Sequence, residues 1–347
     1  MANRKLASVQ MVHHVNAIEG ADRIECVQVL GWNVVAKKGE FRVGDYCVYF
    51  EVDSFLPVCE QFEFLRSSCF KNDDYMGQGF RLKTQRFRGQ ISQGLILPTD
   101  ILPQDREYVL GEDVTELLGV RKWDIEEKVT GSGTVIGEMP FGIPKTDEMR
   151  IQSFPELITE FKKVPSYYIS TKMDGTSVTM YWKKEESGWR FGVCGRNYEY
   201  ADDGKCAFWE YAKKNRIEEK LREKNLPELA IQGEFCGGGI QKNRLKLKFP
   251  EWYVFTVIDL QTHRRLSLEK MTELCTVLGL HQVPVEETGE VFPYHTVDEL
   301  LERARGKYAS GMHKEGIVIR PTEPVFSYTL SGPLSMKVLN NDYLLKE

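Results

Sequence analysis

The sequence predicts an α+β fold in two parts: a β-rich barrel over residues 1–122 and a domain of antiparallel sheets with flanking helices over residues 146–347. In the first part, short apolar runs are cut at close spacing by the turn signals Gly20-Ala21-Asp22, Leu30-Gly31, Lys38-Gly39 and Val43-Gly44-Asp45. Tyr46, Val48, Phe50 and Val52 alternate there with other residues, and many short strands at close spacing suit a small barrel. The second part mixes continuous apolar runs with segments of helical period. Between the two, Gly131-Ser132-Gly133 and Phe141-Gly142-Ile143-Pro144 interrupt the pattern, which marks residues 123–145 as a linker. Its Gly-Ser-Gly lacks the Gly-Lys-Ser/Thr ending of a phosphate loop.

Within the barrel, Arg81, Lys83, Arg86 and Arg88 crowd into Phe80–Gln90, interleaved with Phe80, Leu82 and Phe87. An OB-like barrel binds a nucleic-acid backbone with a cationic, aromatic strand surface of this kind; a solvated strand face is the plain alternative. In the second part, Tyr167–Thr171 and Ser177–Trp182 read as strands. Trp252–Asp259 and Gly316–Arg320 are continuous apolar runs, as buried strands require. Arg244–Phe249 alternates strictly, with three cations on one face that either meet phosphates or are solvated. One helix follows Leu268, with Met271, Cys275 and Leu278 on one side and Gly279 as its stop; another begins at Val297, capped by Thr296 with Glu299 three residues on.

Composition bounds the function. The chain of 347 residues has 41% hydrophobic and 28% charged residues and a net charge of -5, which argues against disorder, and no apolar run reaches the roughly 20 residues of a membrane span. The start, Met1-Ala2-Asn3-Arg4-Lys5, lacks the apolar stretch of a signal peptide, and the eight cysteines show no paired spacing. An intracellular, soluble protein with reduced thiols is expected. Nucleic-acid binding must then rest on local basic patches.

The candidate for chemistry is Lys172-Met173-Asp174-Gly175, a lysine two residues before an Asp-Gly turn between two strands. A hairpin with a solvated lysine is the plain alternative. A covalent nucleophile is the sharper one, and it carries a chemical requirement. A free lysine has a pKa of about 10.4, so it must lose a proton before its nitrogen can attack phosphorus.

The residues that follow do so in a telling order: Cys194-Gly195-Arg196-Asn197, Gln232-Gly233-Glu234-Phe235, Phe255 with Asp259, Lys314-Glu315-Gly316-Ile317-Val318-Ile319-Arg320, and Ser335-Met336-Lys337-Val338. This series resembles the covalent nucleotidyltransferase superfamily of ATP-dependent DNA and RNA ligases and capping guanylyltransferases. The resemblance implies a nucleotidyltransferase (ATP-grasp-like ligase) domain in which Lys172 becomes the nucleotidyl-lysine. It implies that Arg196 belongs to the second motif, that Glu234 and Glu315 are the acids of the third and fourth, and that Lys337 lies near the α-phosphate. Thr171 and Gly175 flank the lysine as nucleotide contacts. Asp174, Glu234 and Glu315 are metal candidates, and an oxygen-only set suits Mg²⁺ or Mn²⁺. Phe255 is the candidate for stacking on the purine, with Ile317 or Val318 on the other face and Phe208 as the second choice. Many relatives carry Lys-x-Lys where this chain has Ser335-Met336-Lys337, so Lys337 alone fills that role unless Lys242 or Lys346 replaces it.

The chain ends about ten residues after Lys337, whereas DNA ligases and capping enzymes carry an OB domain there. With the barrel in front, and with Gly20–Glu25, Gly31–Val35, Gly89–Gly94, Pro144–Glu148 and Gly239–Asn243, the chain looks like the fifth family of ATP-dependent RNA ligases. That resemblance implies sealing of 3′-OH/5′-phosphate nicks in duplexes with RNA on the 3′-OH side. It also implies ATP as the source of the lysine-bound AMP, Arg150 as a contact for departing pyrophosphate, and RNA as partner. No protein partner is inferable. The alternatives are a GTP-dependent capping-type transferase and a non-catalytic RNA-binding protein.

Overall fold

A computed structural model describes residues 4–123 and 133–345; residues 124–132 of the expected linker, and Lys346, lie outside that range. The chain divides into two units, Met1–Lys128 with Arg150–Pro155 and Leu344–Glu347, and Val129–Met149 with Glu156–Tyr343. Among the described residues no helix is long and apolar enough to cross a membrane. All eight cysteines are free.

The first unit is built on an antiparallel sheet of β1 (Ala7–Ala17), β2 (Ile24–Val29), β3 (Trp32–Lys37), β4 (Tyr46–Phe50) and β5 (Leu95–Pro98), in the order β5-β4-β1-β2-β3. Strand β1 is long enough to serve two partners: Ala7–Met11 pairs with β4, and Val12–Ala17 pairs with β2. A register shift lies between Val12 and His14, and such irregularities bend a strand. The curl brings the β3 edge back to the segment before β5, where Gln93 N–H donates to Asn33 O at 2.8 Å and Val35 N–H donates to Ser92 Oγ at 2.9 Å. Alternation fills both faces. Val9, Val48 and Phe50 pack with Leu56 and Phe62, whereas Val27, Trp32, Val34 and Tyr49 pack on the other side.

The basic run does not act as one surface. Phe80 and Leu82 are core, and Arg81 lies 3.8 Å from Asp53 and over the Trp123 ring. Arg86, Phe87 and Arg88 are exposed at the tip of a hairpin whose turn residues Arg88 and Gly89 both have positive φ. Residues 150–155 are stitched to this unit: Arg150 pairs with Asp53 at 3.1 Å, and Gly31 N–H donates to Gln152 O at 2.9 Å.

The second unit holds two antiparallel sheets. The small one contains β6 (Tyr167–Lys172), β12 (Val285–Gly289), β13 (Gly316–Pro321) and β14 (Met336–Leu339), in the order β12-β6-β13-β14. The large one is centred on β7 (Thr176–Glu185), β8 (Gly188–Cys194), β9 (Tyr198–Tyr200), β10 (Leu229–Cys236) and β11 (Glu251–Asp259), in the order β9-β8-β7-β10-β11. Val135–Glu138, within the expected linker, extends its β9 edge.

One face of the large sheet is covered by α1 (Ala207–Lys214), α2 (Ile217–Glu223) and α3 (Leu268–Leu278); Val178, Met180, Ile231 and Trp252 pack there against Trp209, Leu221 and Met271. Helix α3 starts at Ser267, whose Oγ accepts from Lys270 N–H, and stops at Gly279 with φ 63°. Helix α4 (Val297–Arg303) is capped by Thr296, whose hydroxyl accepts from Glu299 N–H at 3.2 Å.

Two expectations of local structure change. Strands β6 and β7 lie in different sheets, so Met173-Asp174-Gly175 is a corner between sheets and not a hairpin. Arg244–Phe249 is a loop of turns in which Arg244 is buried while Lys246 and Lys248 are exposed, so its cations do not share a face. Gln241, Asn243 and Lys246 all have positive φ, which breaks any strand.

Candidate active site

The corner at Gly175 requires a residue without a side chain. A Cβ there would stand 2.4 Å from Phe235 O and 2.8 Å from Cys236 Sγ, so the corner can press onto β10 only as glycine. Gly316 obeys the same rule on β13, where a Cβ would meet Val338 O at 2.1 Å. These close approaches set Lys172, at the end of β6, against Glu315, which precedes β13. Lys172 Nζ lies 2.8 Å from Glu315 Oε1. The Tyr308 hydroxyl ties both backbones, donating to Lys172 O at 2.7 Å and accepting from Glu315 N–H at 3.0 Å.

Asp174 is buried on the corner. Its Oδ1 accepts from the Tyr343 hydroxyl at 2.9 Å, and its Oδ2 faces Arg244 Nε at 3.3 Å without a hydrogen bond. The Arg244 guanidinium lies 4.2 Å from the centre of the Tyr343 ring. The side chain of Glu234, on β10 opposite Ser177 of β7, makes no hydrogen bond or ion pair with the described residues.

The electrostatics follow from these positions. Burial pushes Glu234 up to about 8; the Lys172 charge opposes that and Glu315 and Asp174 add to it. Asp174 is also raised, by burial first, against the hydrogen bond from Tyr343. For Lys172, burial favours the neutral amine, but Glu315, Glu234 and Asp174 together outweigh it and raise the pKa above the ordinary value. The three acids thus hold the lysine as an ammonium and outnumber Lys172 and Arg244 by one, which is why Glu234 keeps its proton at neutral pH.

That surplus suits a divalent cation. Among the described residues no group of three or more His, Cys, Asp or Glu side chains forms a complete metal cage. The site instead offers a few carboxylate arms, with Asp174 Oδ2 and the Glu234 carboxylate lacking hydrogen bonds. Mg²⁺ is commonly held that way, by one or two carboxylates with water and substrate phosphate.

Strand register sorts the remaining candidates. Ser170 lies opposite Val318 and Val318 opposite Lys337, so Val318 and Lys337 share the face of β6 that carries Lys172. Ile317 is on the other face, fully buried and paired with Val338, so of the two aliphatic candidates the register favours Val318. Thr171 also turns away, and its hydroxyl donates to Glu286 at 2.7 Å. Phe208 packs on the helix side of the large sheet, edge-on to Phe235 at 5.1 Å, and is not brought to Lys172. Arg150 belongs to the first unit. Arg196, past the end of β8, lies 3.1 Å from Asp147, and its charge is felt at Glu234.

Phe255 follows Tyr253 onto the face of β11 that lies beside Glu234. Gln232 pairs with Thr256 and Gly233 with Val254, which makes Phe255 the extra residue of a β-bulge, packed against the cluster of Met173, Cys236 and Val283. Ser335 is buried and accepts from Arg320 Nε at 3.1 Å. Tyr308 and Tyr343 had no signal in the sequence, and Arg244 had one only as a strand cation, because each meets the site through a contact spanning at least 70 residues.

A lysine on the corner between two sheets, 2.8 Å from Glu315 and within the charge of Glu234 and Asp174, is placed as a covalent nucleophile would need to be. Residues 165–338 match the RNA ligase family model, and residues 6–99 match an OB-fold domain. The chain is 36% identical to Naegleria gruberi RNA ligase, whose ligand-free variant structure it matches with a TM-score of 0.89 over 100% of this chain and 99% of that one. Variants of that ligase solved with AMP and Mn, or with ATP and Mn, match at 36% identity with TM-scores of 0.89 and 0.88, each over 99% of both chains. No curated protein sequence matches. The chain belongs to the RNA ligase family, with an OB-fold domain in front.

Proposed function

We propose that the protein is an ATP-dependent RNA ligase that seals 3′-OH/5′-phosphate breaks, with nicked duplexes carrying RNA on the 3′-OH side as its substrate. The observation that carries this is Lys172 Nζ within 2.8 Å of Glu315, with Glu234 and Asp174 contributing the other charges around it. The Naegleria gruberi ligase, solved with ATP, AMP, Mn and pyrophosphate, supports ATP as the nucleotide and a divalent cation beside it.

The reading has three steps. The Lys172 amine attacks the α-phosphorus of ATP and pyrophosphate leaves; AMP passes from the lysine to an RNA 5′-phosphate; the 3′-OH then attacks that phosphate and AMP leaves. Lys172 must first lose the proton that the carboxylates hold on it. A bound Mg²⁺ or Mn²⁺, held by Glu234, Asp174 or Glu315, supplies the positive charge that neutralises those carboxylates and stabilises the reacting phosphate. Lys337, two residues along the same sheet face, and Arg196 are the phosphate contacts, the arginine as a fork and the lysine as a point charge. Phe255 stacks on the purine with Val318 as the apolar contact beside it. Exposed Arg86, Phe87 and Arg88 are the barrel's contribution to RNA binding.

Incubation with α-labelled ATP and Mg²⁺ is expected to leave acid-labile AMP on the wild-type protein and none on Lys172→Ala. Sealing should then follow the sugar at the 3′-OH end when all-RNA, all-DNA and mixed nicks are compared. Wild-type protein that stays unlabelled would sink the reading, and equal sealing of a DNA 3′-OH would remove the substrate preference.

A further inference from the structure

The β-bulge that contains Phe255 is bonded by a buried side chain that no step above uses. Arg320, on β13, is 6% exposed and spends its whole guanidinium on four partners. Its Nη1 donates to Phe255 O at 2.5 Å and to Thr256 Oγ1 at 2.9 Å, its Nε to Ser335 Oγ at 3.1 Å, and its Nη2 to Glu148 Oε1 at 2.6 Å. Glu148 in turn lies 3.4 Å from Arg265. Two of these bonds fall on the bulge itself, one on the backbone of the extra residue and one on the side chain after it. Phe255 follows Tyr253 on the Glu234 face, and the bulge adds Thr256 to that face and returns Val257 to the helix-side core, so the fork fixes the backbone at the point where the Phe255 ring is mounted.

We propose that Arg320 is a positioning residue for nucleobase recognition: it locks the bulge on β11, and through the bulge the Phe255 ring, in the place where the purine stacks. The inference rests on the stacking role proposed for Phe255. A planar five-donor fork can satisfy a carbonyl, two hydroxyls and a carboxylate in one plane, which a lysine ammonium cannot. Ser335 fits the same account, because a lysine there would set a second cation against the fork.

The test is a mutant cycle on the full-length protein, read as KM for ATP and kcat of lysine adenylation, with inhibition by tripolyphosphate as a base-free probe. Phe255→Ala is expected to raise KM for ATP about tenfold and to leave tripolyphosphate binding unchanged, the size of one lost stacking contact. Arg320→Lys is expected to raise KM for ATP to a similar degree, with kcat within about threefold, and the double variant should be no worse than Phe255→Ala. Should Arg320→Met fail to fold, Arg320→Lys carries the cycle. Effects of Arg320→Lys and Phe255→Ala that multiply, or an equal loss of tripolyphosphate binding, would overturn the role of Arg320 while leaving stacking intact. An unchanged KM in Phe255→Ala would overturn stacking and this inference together.

Discussion

Two buried ionic clusters lie in the second unit, and they are built to opposite rules. Around Glu148, two arginines meet one carboxylate: burial alone would push Glu148 up, but Arg265 and Arg320 outweigh it and bring the pKa down to about 2. Around Lys172, three carboxylates crowd one ammonium, and Glu234 is pushed up to about 8. The first cluster satisfies its carboxylate and leaves one arginine charge over, with Arg265 Nη1 making no hydrogen bond. The second sets three acids against Lys172 and Arg244, so Glu234 keeps a proton at neutral pH that a ligand bringing positive charge would displace. The difference separates a cluster that holds strands together from the one proposed to do chemistry.

The largest effect is expected from breaking the Glu148 cluster. Glu148→Gln leaves Arg265 and Arg320 buried against each other without a counter-charge, which costs about 3–5 kcal/mol. For a unit of this size that lowers the melting temperature by roughly 10 °C. Calorimetry would check it, and an unchanged transition would show that the cluster contributes no cohesion.

A smaller effect of opposite sign is expected at Glu234. Its folded pKa of about 8 lies above the ordinary 4.5, so the folded chain holds the proton more tightly than the unfolded one. Stability from this group is therefore full below pH 4.5 and is lost as pH rises toward 8. Glu148 runs the other way: its contribution is present above pH 4.5 and is lost as pH falls toward 2. In metal-free buffer, Glu234→Gln should be more stable than wild type at pH 8 by about 1–3 kcal/mol, with the gap closing near pH 5. Added Mn²⁺ should raise the wild-type melting temperature and reverse the order. Thermal melts at the two pH values, with and without Mn²⁺, decide it; a gap that is constant with pH would mean that Glu234 is not the strained acid.

Much of this contrast was legible in the sequence, and what was not has a physical cause. Lys172 stood out by the Asp-Gly turn that follows it, and Glu234 and Glu315 by the order of the motifs around them; Gly175 and Gly316 are where backbones press together. The helices after Leu268 and Val297 were marked by their caps and period. Facing was harder, since one residue of register reverses it: Ile317 and Val318 look alike in sequence, and only the pairing with Lys337 separates them. The bulge at Phe255 has no compositional mark. Arg244 looked like one of three equal cations, but its loop carries positive φ values that bury it beside Asp174. Arg320 looked like the polar end of an apolar strand, and its four partners come from three separate segments.

The smallest change tests whether the catalytic cluster is tuned as well as charged. Tyr343 does two things for Asp174: its hydroxyl donates to Oδ1 at 2.9 Å, and its ring lies 4.2 Å from the Arg244 guanidinium facing Oδ2. Tyr343→Phe removes the first and keeps the second. Asp174 is already raised by burial, and the lost donor was holding it down, so its pKa rises further. The stability cost should be about 1–2 kcal/mol, since one hydrogen bond to a buried carboxylate is lost while the packing stays. The acid limb of the pH–rate profile for lysine adenylation should move to higher pH, with the lost rate recovered as pH is raised, because deprotonating Asp174 restores its charge. A purely structural role for Tyr343 predicts a rate loss that does not recover with pH, so the pH–rate profile of Tyr343→Phe beside wild type separates the two.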